Sequence, residues 1–433
     1  MHVMIIGAGT GGMALAHALK RAGVGVSIYE RDRTSSNEQG GGYRVGISPA
    51  GSRALKSCVP SQVYDLFVAT CARPPRYFNM LNERFSELLC LEIEDKAADA
   101  VDGEKNVVRK TLRQVLLKGL EDNVSFGKKF VNYTSGLEGS VVARFEDGTS
   151  ATGDVLIGAD GAGSRVRKQR LPHARHEDTG IVSIGGQLPM TTATRALLSD
   201  KMFQGMSMIM APRGVGAIIH SLEFTLNRAN PDIMARWPEF ANTIAHDSIG
   251  WGLWAARQNL PKDPFALGAE DLIRLANELT VHWHPHMRQI VQMTDPSTTQ
   301  RLNIRTSVPL SPWDSSNVTL LGDAAHTMTP GRGAGANTAL RDAVLLCKRL
   351  VEAQRGEKSL IQGIHDYEVE MLRYSTEAVI ASRKQMNSND KIHKPIIGGL
   401  QLAAMRGGMR MINRIPYLKR RVTRKIMRVR GEN

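Results

Sequence analysis

A chain of 433 residues with 42% hydrophobic and 23% charged residues is long enough for two or three domains and has the balance of a folded globular protein, not a disordered one. Its four cysteines, Cys58, Cys71, Cys90 and Cys347, show neither CxxC nor metal-like spacing, which points to reduced thiols and away from a disulfide scaffold. The formal charge of +14 suggests nucleic acid until it is located: from Lys391 onward stand twelve Lys and Arg against Glu432 alone, which leaves +3 for everything before.

Met1 to Ala8, MHVMIIGA, is apolar, β-branched and closes in glycine, which predicts a buried parallel strand. Gly7, Gly9 and Gly12 then spell GxGxxG, Met13 to Ala22 predicts a helix stopped by Gly23, and Gly25 to Tyr29 predicts a second strand with Glu30 at its end. Between strand and helix the three glycines serve a tight turn, close approach of backbone to a pyrophosphate, and close packing of helix on strand. Amides at the helix start face the phosphates, and Glu30 stands where a carboxylate accepts from a ribose. A dinucleotide follows, with NAD and FAD both open on this stretch. The first strand starts near residue 2, which leaves no room for a cleavable presequence, and no stretch is long and apolar enough to span a bilayer; the expectation is a cytoplasmic protein.

A polar loop, Arg31 to Gln39, leads to Gly40, Gly41, Gly42, Tyr43 and Arg44, which reads either as backbone passing close to a ligand or as a plain flexible loop. Ser48 to Leu55 predicts a helix, and Arg76 to Leu81 and Leu88 to Ile93 predict strands of a separate sheet. Val107, Val108, Leu112, Leu116 and Leu120 share a three-to-four period and predict one helix. Arg109 lies near its start and off that stripe, where a cation opposes the helix dipole unless a phosphate justifies it.

Val141 to Phe145 with Asp147-Gly148 predicts a hairpin, and Asp154 to Gly158 a buried strand running into GADGAGSRVR, Gly158 to Arg167. Ile181 to Leu188, Met206 to Met210, Gly216 to Phe224 and Gly250 to Ala256 predict strands, and Ala269 to Leu279 a helix, of an inserted α+β domain. Thr319 to Gly322 predicts another strand, followed by GDAAHTMTPGRGAGAN, Gly322 to Asn337, a helix from Thr338 to Ala353, and helical pattern beyond Lys358. The expected fold is α/β: a Rossmann-like dinucleotide-binding domain from 1–72, 101–178 and 301–355, an inserted α+β substrate domain from 73–100 and 179–300, and a helical basic tail, 356–433.

Three widely separated strand ends need one ligand long enough to touch them all, a requirement that FAD meets better than NAD. At this point the chain resembles the flavin-dependent aromatic hydroxylases, single-component monooxygenases built like p-hydroxybenzoate hydroxylase. The resemblance rests on GAGTGG with Glu30, on GADGxxSxVR, and on GDAAH with GxGAN and Asp342. It implies that Gly7, Gly9 and Gly12 hold the pyrophosphate of FAD and Glu30 its ribose, with Arg31 and Arg44 nearby and Arg109 at the phosphates. Asp160 and Gly161 would serve FAD and the transient nicotinamide, and Asp323 the ribityl hydroxyls. Pro330, Gly333, Gly335, Ala336 and Asn337 would pass the isoalloxazine, with a helix start stabilising the anionic reduced ring. Thr329 stands where many members carry a proline, which is closer to the branch of zeaxanthin epoxidase-like and natural-product enzymes.

No general base emerges from the spacing, so catalytic side chains stay unassigned. The resemblance implies that NAD(P)H reduces the flavin, that O2 adds at C4a, and that the hydroperoxide hydroxylates or epoxidises a lipophilic aromatic or polycyclic molecule. Met208, Met210, Ile218, His220 and Trp254 are the candidates for the substrate wall; their plain reading is core. Related alternatives are a halogenase, whose WxWxIP is absent here, a prenyl-chain reductase, or a flavin-binding module without turnover.

His282-Trp283-His284-Pro285-His286 would put alternate imidazoles on one strand face, but no carboxylate or cysteine cluster accompanies them and no metal is expected. His326 reads as structural. In the tail, Ile415, Leu418, Val422, Ile426 and Val429 fall at helical intervals among basic residues. That helix either packs on the body with a solvated outer face or meets an anionic membrane or acidic partner. Aromatics are not interleaved with its cations, which argues against nucleic acid.

Overall fold

The computed structural model describes residues 1–34, 44–93, 101–224, 235–240 and 246–430; Gly40 to Gly42 and Tyr43 lie outside the described residues. Two sheets organise it. A five-stranded parallel sheet has the order Val318–Leu320, Val155–Gly158, His2–Ile6, Gly25–Tyr29 and Val124–Ser125. Its central strands are covered on both faces, which is why HVMII and VLIG read as continuous apolar runs and do not alternate. Gly7 ends the first strand at φ +110°, and a Cβ there would lie 2.5 Å from the Ala159 carbonyl oxygen, so a side chain is excluded by conformation and by space. The following helix, Thr10–Arg21, buries Met13, Leu15 and Leu19 and stops at Gly23, φ +74°.

The second sheet has seven strands, in the order Gln300–Ser307, His176–Pro189, Ser248–Ala256, Gly216–Leu222, Gly205–Met210, Tyr77–Asn82 and Glu87–Glu92. Neighbours are antiparallel except Gly205–Met210 beside Tyr77–Asn82. The helices Ala269–Leu279 and Pro285–Gln292 cover one face, packing Leu272, Leu275, Met287 and Ile290 on Ile184, Ile209, Ile219, Trp251 and Leu253. Helices Leu360–Arg383, Pro395–Arg414 and Pro416–Arg430 follow the Gly335–Gln354 helix.

Two local expectations are corrected. Val107 and Val108 do not open a helix; they close the strand Lys105–Val108, paired antiparallel with Arg44–Ile47, and the helix starts at Arg109. Cross-strand pairing and burial override a periodicity that the two valines satisfy by chance. The His282–His286 stretch is not a strand either. His284 caps the Pro285–Gln292 helix by accepting from the His286 amide, its ring stacks on Phe85 at 4.7 Å, and His286 Nδ1 meets the Leu197 carbonyl at 3.0 Å. Proline at the first helical position dictates this, since it suits a helix start and not a strand interior.

His17 ties the first helix to the Arg109–Leu117 helix: its Nε2 donates to the Leu116 carbonyl at 2.9 Å, and burial pushes its pKa from 6.5 down to about 4. The unfolded chain takes up that proton near pH 6.5 while the folded chain refuses it until about pH 4, so stability falls as pH drops through this window, by up to ~3 kcal/mol. Urea titrations between pH 7 and pH 4 are expected to show that slope, and His17→Gln to reduce it, with His176 and His220, also held below 6.5 by burial, supplying the remainder.

Candidate functional site

The carboxyl ends of three parallel strands meet at one sheet edge. The hydrogen-bond ladder continues past the strands, with Gly7 N donating to Tyr29 O (2.9 Å), Ala159 N to Ile6 O (2.8 Å) and Leu321 N to Gly158 O (2.9 Å). The loops at Gly7, Asp160 and Asp323 therefore stand side by side, where open α/β sheets bind ligands. A Cβ at Gly12 would collide with the Gly7 carbonyl oxygen, whereas one at Gly9 would meet nothing within 4 Å. Gly12 thus serves packing, and Gly9 faces open space at the start of a helix with no side-chain cap and no acidic residue in its first turn. The Gly335–Gln354 helix starts in the same way, behind Gly333 in the left-handed region at φ +60°. Both helix starts present amides without intrahelical partners, suited to an anion.

Glu30 is buried at the end of the second strand. Its carboxylate accepts from Ala8 N at 2.8 Å and Asp32 N at 3.0 Å, and Arg113 lies 3.3 Å from it while also pairing with Asp32 at 2.7 Å. Arg113 was not singled out from the sequence, although it is one helical turn after Arg109. Arg31, beside Glu30, is exposed, as is Arg109.

Asp323 is reached by solvent, yet protein packed around it lifts its pKa above the usual carboxylate range, opposed by the charges of His326 and Arg109. Arg109 is close enough to act on this carboxylate. A Cβ on Gly335 would stand 3.6 Å from its Oδ1. Asp160 caps the next turn, accepting from Arg165 N at 2.7 Å, while its Oδ1 is buried without a hydrogen-bond partner. Gly161 follows at φ +76°, with nothing within 4 Å of where a Cβ would stand. Arg167 bridges two loops, donating to Ala324 O and Ala162 O at 3.0 Å each.

Asn337 has a role that its motif did not disclose. Its Oδ1 accepts from Ser48 N at 2.9 Å, and its Nδ2 donates to Gly46 O at 3.0 Å and Gly333 O at 2.8 Å, which clamps the Arg44–Ile47 strand to the glycine loop. Ala336 beside it is half-buried and Pro330 is exposed. Arg44 reaches across from that strand, with Nε on Asn106 Oδ1 at 2.7 Å, Glu104 at 3.8 Å and Met206 Sδ at 3.5 Å.

All five candidates for the substrate wall share one face of the seven-stranded sheet: Met208 pairs with Ile218, and Met210 with Gly216, which pairs in turn with Trp254. Glycines on the facing strands make room, since a Cβ at Gly216 would collide with the Trp254 ring and one at Gly250 would lie 2.5 Å from His220 Nε2. Met208 and Met210 pack with Met409, Ile412, Val422 and Ile426, and Trp254 with Ile181, Ile304 and Met386. His220 is placed differently. With Arg44, Arg73, Asn106 and Met206 it lines a recess, and both of its ring nitrogens are buried without hydrogen-bond partners. Burial, and then the charge of Arg44, push its pKa down to about 3, so it is neutral at working pH. Met206 was missed, although its alternation with Met208 and Met210 placed it on the same face.

A family profile described as an FAD binding domain matches residues 1–46 and 274–382. An FAD-containing monooxygenase structure from Photorhabdus luminescens is 33% identical, covering 92% of this chain and all of that one, with a TM-score of 0.79. The dual O-methyltransferase/FAD-dependent monooxygenase CTB3 of Cercospora beticola is 33% identical over 396 residues, 85% of this chain and 44% of that protein, so the chain spans less than half of that relative. Klebsiella pneumoniae HpxO, solved with FAD and uric acid, is 22% identical over all of this chain and 97% of that one, with a TM-score of 0.78, which speaks to the fold. The residues fit an FAD: Gly9 leaves the approach open, two uncapped helix starts face the same edge, and the buried Asp160 Oδ1 awaits a donor.

The loop carrying Asp323 is held from beneath. Asp342 is fully buried; one oxygen accepts from Gly322 N at 2.9 Å and from His326 Nε2 at 2.7 Å, and the other accepts from the Tyr374 hydroxyl. Burial alone would lower the His326 pKa, but the charge and hydrogen bond of Asp342 outweigh it and the net shift is upward from 6.5. That stabilisation is complete below pH 6.5 and is lost as pH rises through the folded-state value. The thermal midpoint is expected to fall as pH is raised above about 6.5, and His326→Gln should flatten this limb while leaving the acid limb of His17 in place.

Proposed function

This chain belongs to the FAD-dependent monooxygenase family, and on that premise we propose that it consumes NAD(P)H and O2 to place one oxygen atom, by hydroxylation or epoxidation, in a hydrophobic aromatic or polycyclic small molecule. The observation that carries the proposal is the meeting of Gly9, Asp160 and Asp323 at one sheet edge, with the carboxylate of Asp323 under the influence of Arg109. When bound, FAD supplies electron transfer from NAD(P)H and activation of O2, chemistry that no side chain here provides.

The chain's own residues have the remaining work. Gly7, Gly9 and Gly12 would admit the pyrophosphate to the first helix start, Glu30, oriented by Arg113, would accept from the ribose, and Arg109 would balance phosphate charge. Asp323 would accept from the ribityl hydroxyls, and the amides opening the Gly335–Gln354 helix would face the polar edge of the flavin ring. Arg31, Arg44, Pro330, Gly333, Ala336 and Asn337 would border the same ligand. Asp160 and Gly161 would also meet the passing nicotinamide.

The substrate would lie on the Met206 and His220 face of the second sheet, near Arg44. The recess there is lined by Arg44, Arg73 and Asn106 beside Met206 and Phe203, so a ligand meets polar as well as apolar groups. A neutral imidazole with both nitrogens free of protein partners can accept from one substrate hydroxyl and donate to another polar atom, but with a pKa of about 3 it is a poor general base. That favours a phenol-bearing ligand held by hydrogen bonds over one ionised by this residue. Carbonyl-bearing polycycles would use the donor nitrogen alone.

Flavin titration separates the glycine roles. Gly9→Val is expected to keep the wild-type thermal midpoint and weaken FAD binding tenfold or more, whereas Gly12→Val, forced against Gly7, should fold poorly. Asp323→Ala should fold and bind FAD weakly. For the reaction itself, NAD(P)H consumption, product and peroxide are measured over a panel of lipophilic phenols and polycycles. A ligand that speeds NAD(P)H use and yields oxygenated product stoichiometrically supports the proposal. Peroxide as the sole product across the panel, or a protein that takes up no FAD, would refute it.

A further inference from the structure

The tail helix, which the sequence left open between packing on the body and meeting a membrane or acidic partner, packs by its apolar side. Val422 and Ile426 of the Pro416–Arg430 helix pack on Met80, Leu88, Leu89 and Leu91 of the second sheet. The apolar surface left open belongs to the helix before it, Pro395–Arg414.

That helix is docked firmly by one side. A Cβ at Gly398 would collide with the Ile392 carbonyl oxygen, Leu402 is buried, Met409 and Ile412 join the cluster on the sheet, and Arg406 bonds Glu83 and the Met210 carbonyl. Its opposite side carries Ile396, Leu400, Ala403, Ala404, Gly407 and Met411, a stripe at helical spacing. Ile396 is 88%, Leu400 76% and Met411 56% exposed, and no charged residue occurs between Pro395 and Met405. Arg410 and Arg414 stand at the end of the stripe, and Tyr417, 66% exposed, follows the turn. From Lys391 to Arg430 there are twelve Lys and Arg and no Asp or Glu, and Arg420, Arg421, Arg424 and Lys425 are exposed.

We propose that the outer face of the Pro395–Arg414 helix, with the cations that follow it, is a docking surface for an anionic lipid bilayer. An apolar stripe of this extent marks an interaction site, and its basic border selects the partner. A second copy of the chain would bring the same cations face to face, whereas anionic headgroups neutralise them while Ile396 and Leu400 enter the acyl boundary. No helix among the described residues is long and apolar enough to cross a membrane, so contact here is with one leaflet.

The test is cosedimentation of the purified chain with sucrose-loaded vesicles of phosphatidylcholine alone or mixed with phosphatidylserine, at low and high salt. Binding is expected to the mixed vesicles only. Ile396→Ser with Leu400→Ser should lower partitioning about tenfold or more, and Arg410→Gln with Arg414→Gln should lower it severalfold and weaken its salt dependence, both with unchanged NAD(P)H oxidation. The proposal fails if the mixed vesicles are not bound. It fails equally if the Ile396/Leu400 variant binds like wild type, which would indicate charge attraction of the kind an acidic protein satisfies. It also fails if wild type is a dimer that this variant dissociates, since a second copy would then cover the stripe.

Discussion

Three strands far apart in the chain run parallel and in register, and hydrogen bonds from Gly7, Ala159 and Leu321 carry that ladder into the loops beyond. The rest depends on this registration. A shift between the first two would break the contact of Gly7 with Ala159, and a shift of the third would move Asp323 away from the open space beside Gly9. The contact is between backbones, with no side chain to yield, so it tolerates little change in either partner.

Holding polar loops at such an edge requires buried polar groups, and burial is costly for a group without a partner. The cost is offset by sharing. Asp342 satisfies one amide, one imidazole and one phenol; Arg167 satisfies two carbonyls on different loops; Asn337 joins a strand to the glycine loop. These three side chains keep the loops in place without occupying the recess. His220 and the Asp160 Oδ1 are buried polar atoms that the protein leaves unsatisfied, as are Arg167 Nε and His326 Nδ1 in the support. Each unsatisfied buried group calls for an explanation, and at a cleft a ligand supplies one.

The seven-stranded sheet divides its labour by face. One face is closed by two helices and forms ordinary core. On the other, Gly216 and Gly250 let the rings of Trp254 and His220 lie across the neighbouring strand, and the two helices that end the described chain close the Met208 and Met210 end. The tail therefore serves as a wall of the second sheet on its inner side and offers a different surface outside.

Local physics was legible without coordinates. Gly7 needs a conformation that only glycine adopts readily, VMII is apolar throughout because both faces are covered, and Asp147-Gly148 builds its own turn, so each announces itself within a few residues. The carboxyl edge could be anticipated because three glycine-ended strands with nearby acids repeat one local pattern. Folding in three dimensions decided the rest. Val107 and Val108 became strand because Val45 and Arg44 lay opposite them, Arg113 acquired Glu30 and Asp32, and His220 acquired the neighbouring charge of Arg44. The apolar side of the last helix went to the sheet, while the helix before it docked by one apolar side and kept another open. Periodicity along a chain states which side of an element is apolar; what comes to cover that side is set by residues hundreds of positions away, and only their packing settles it.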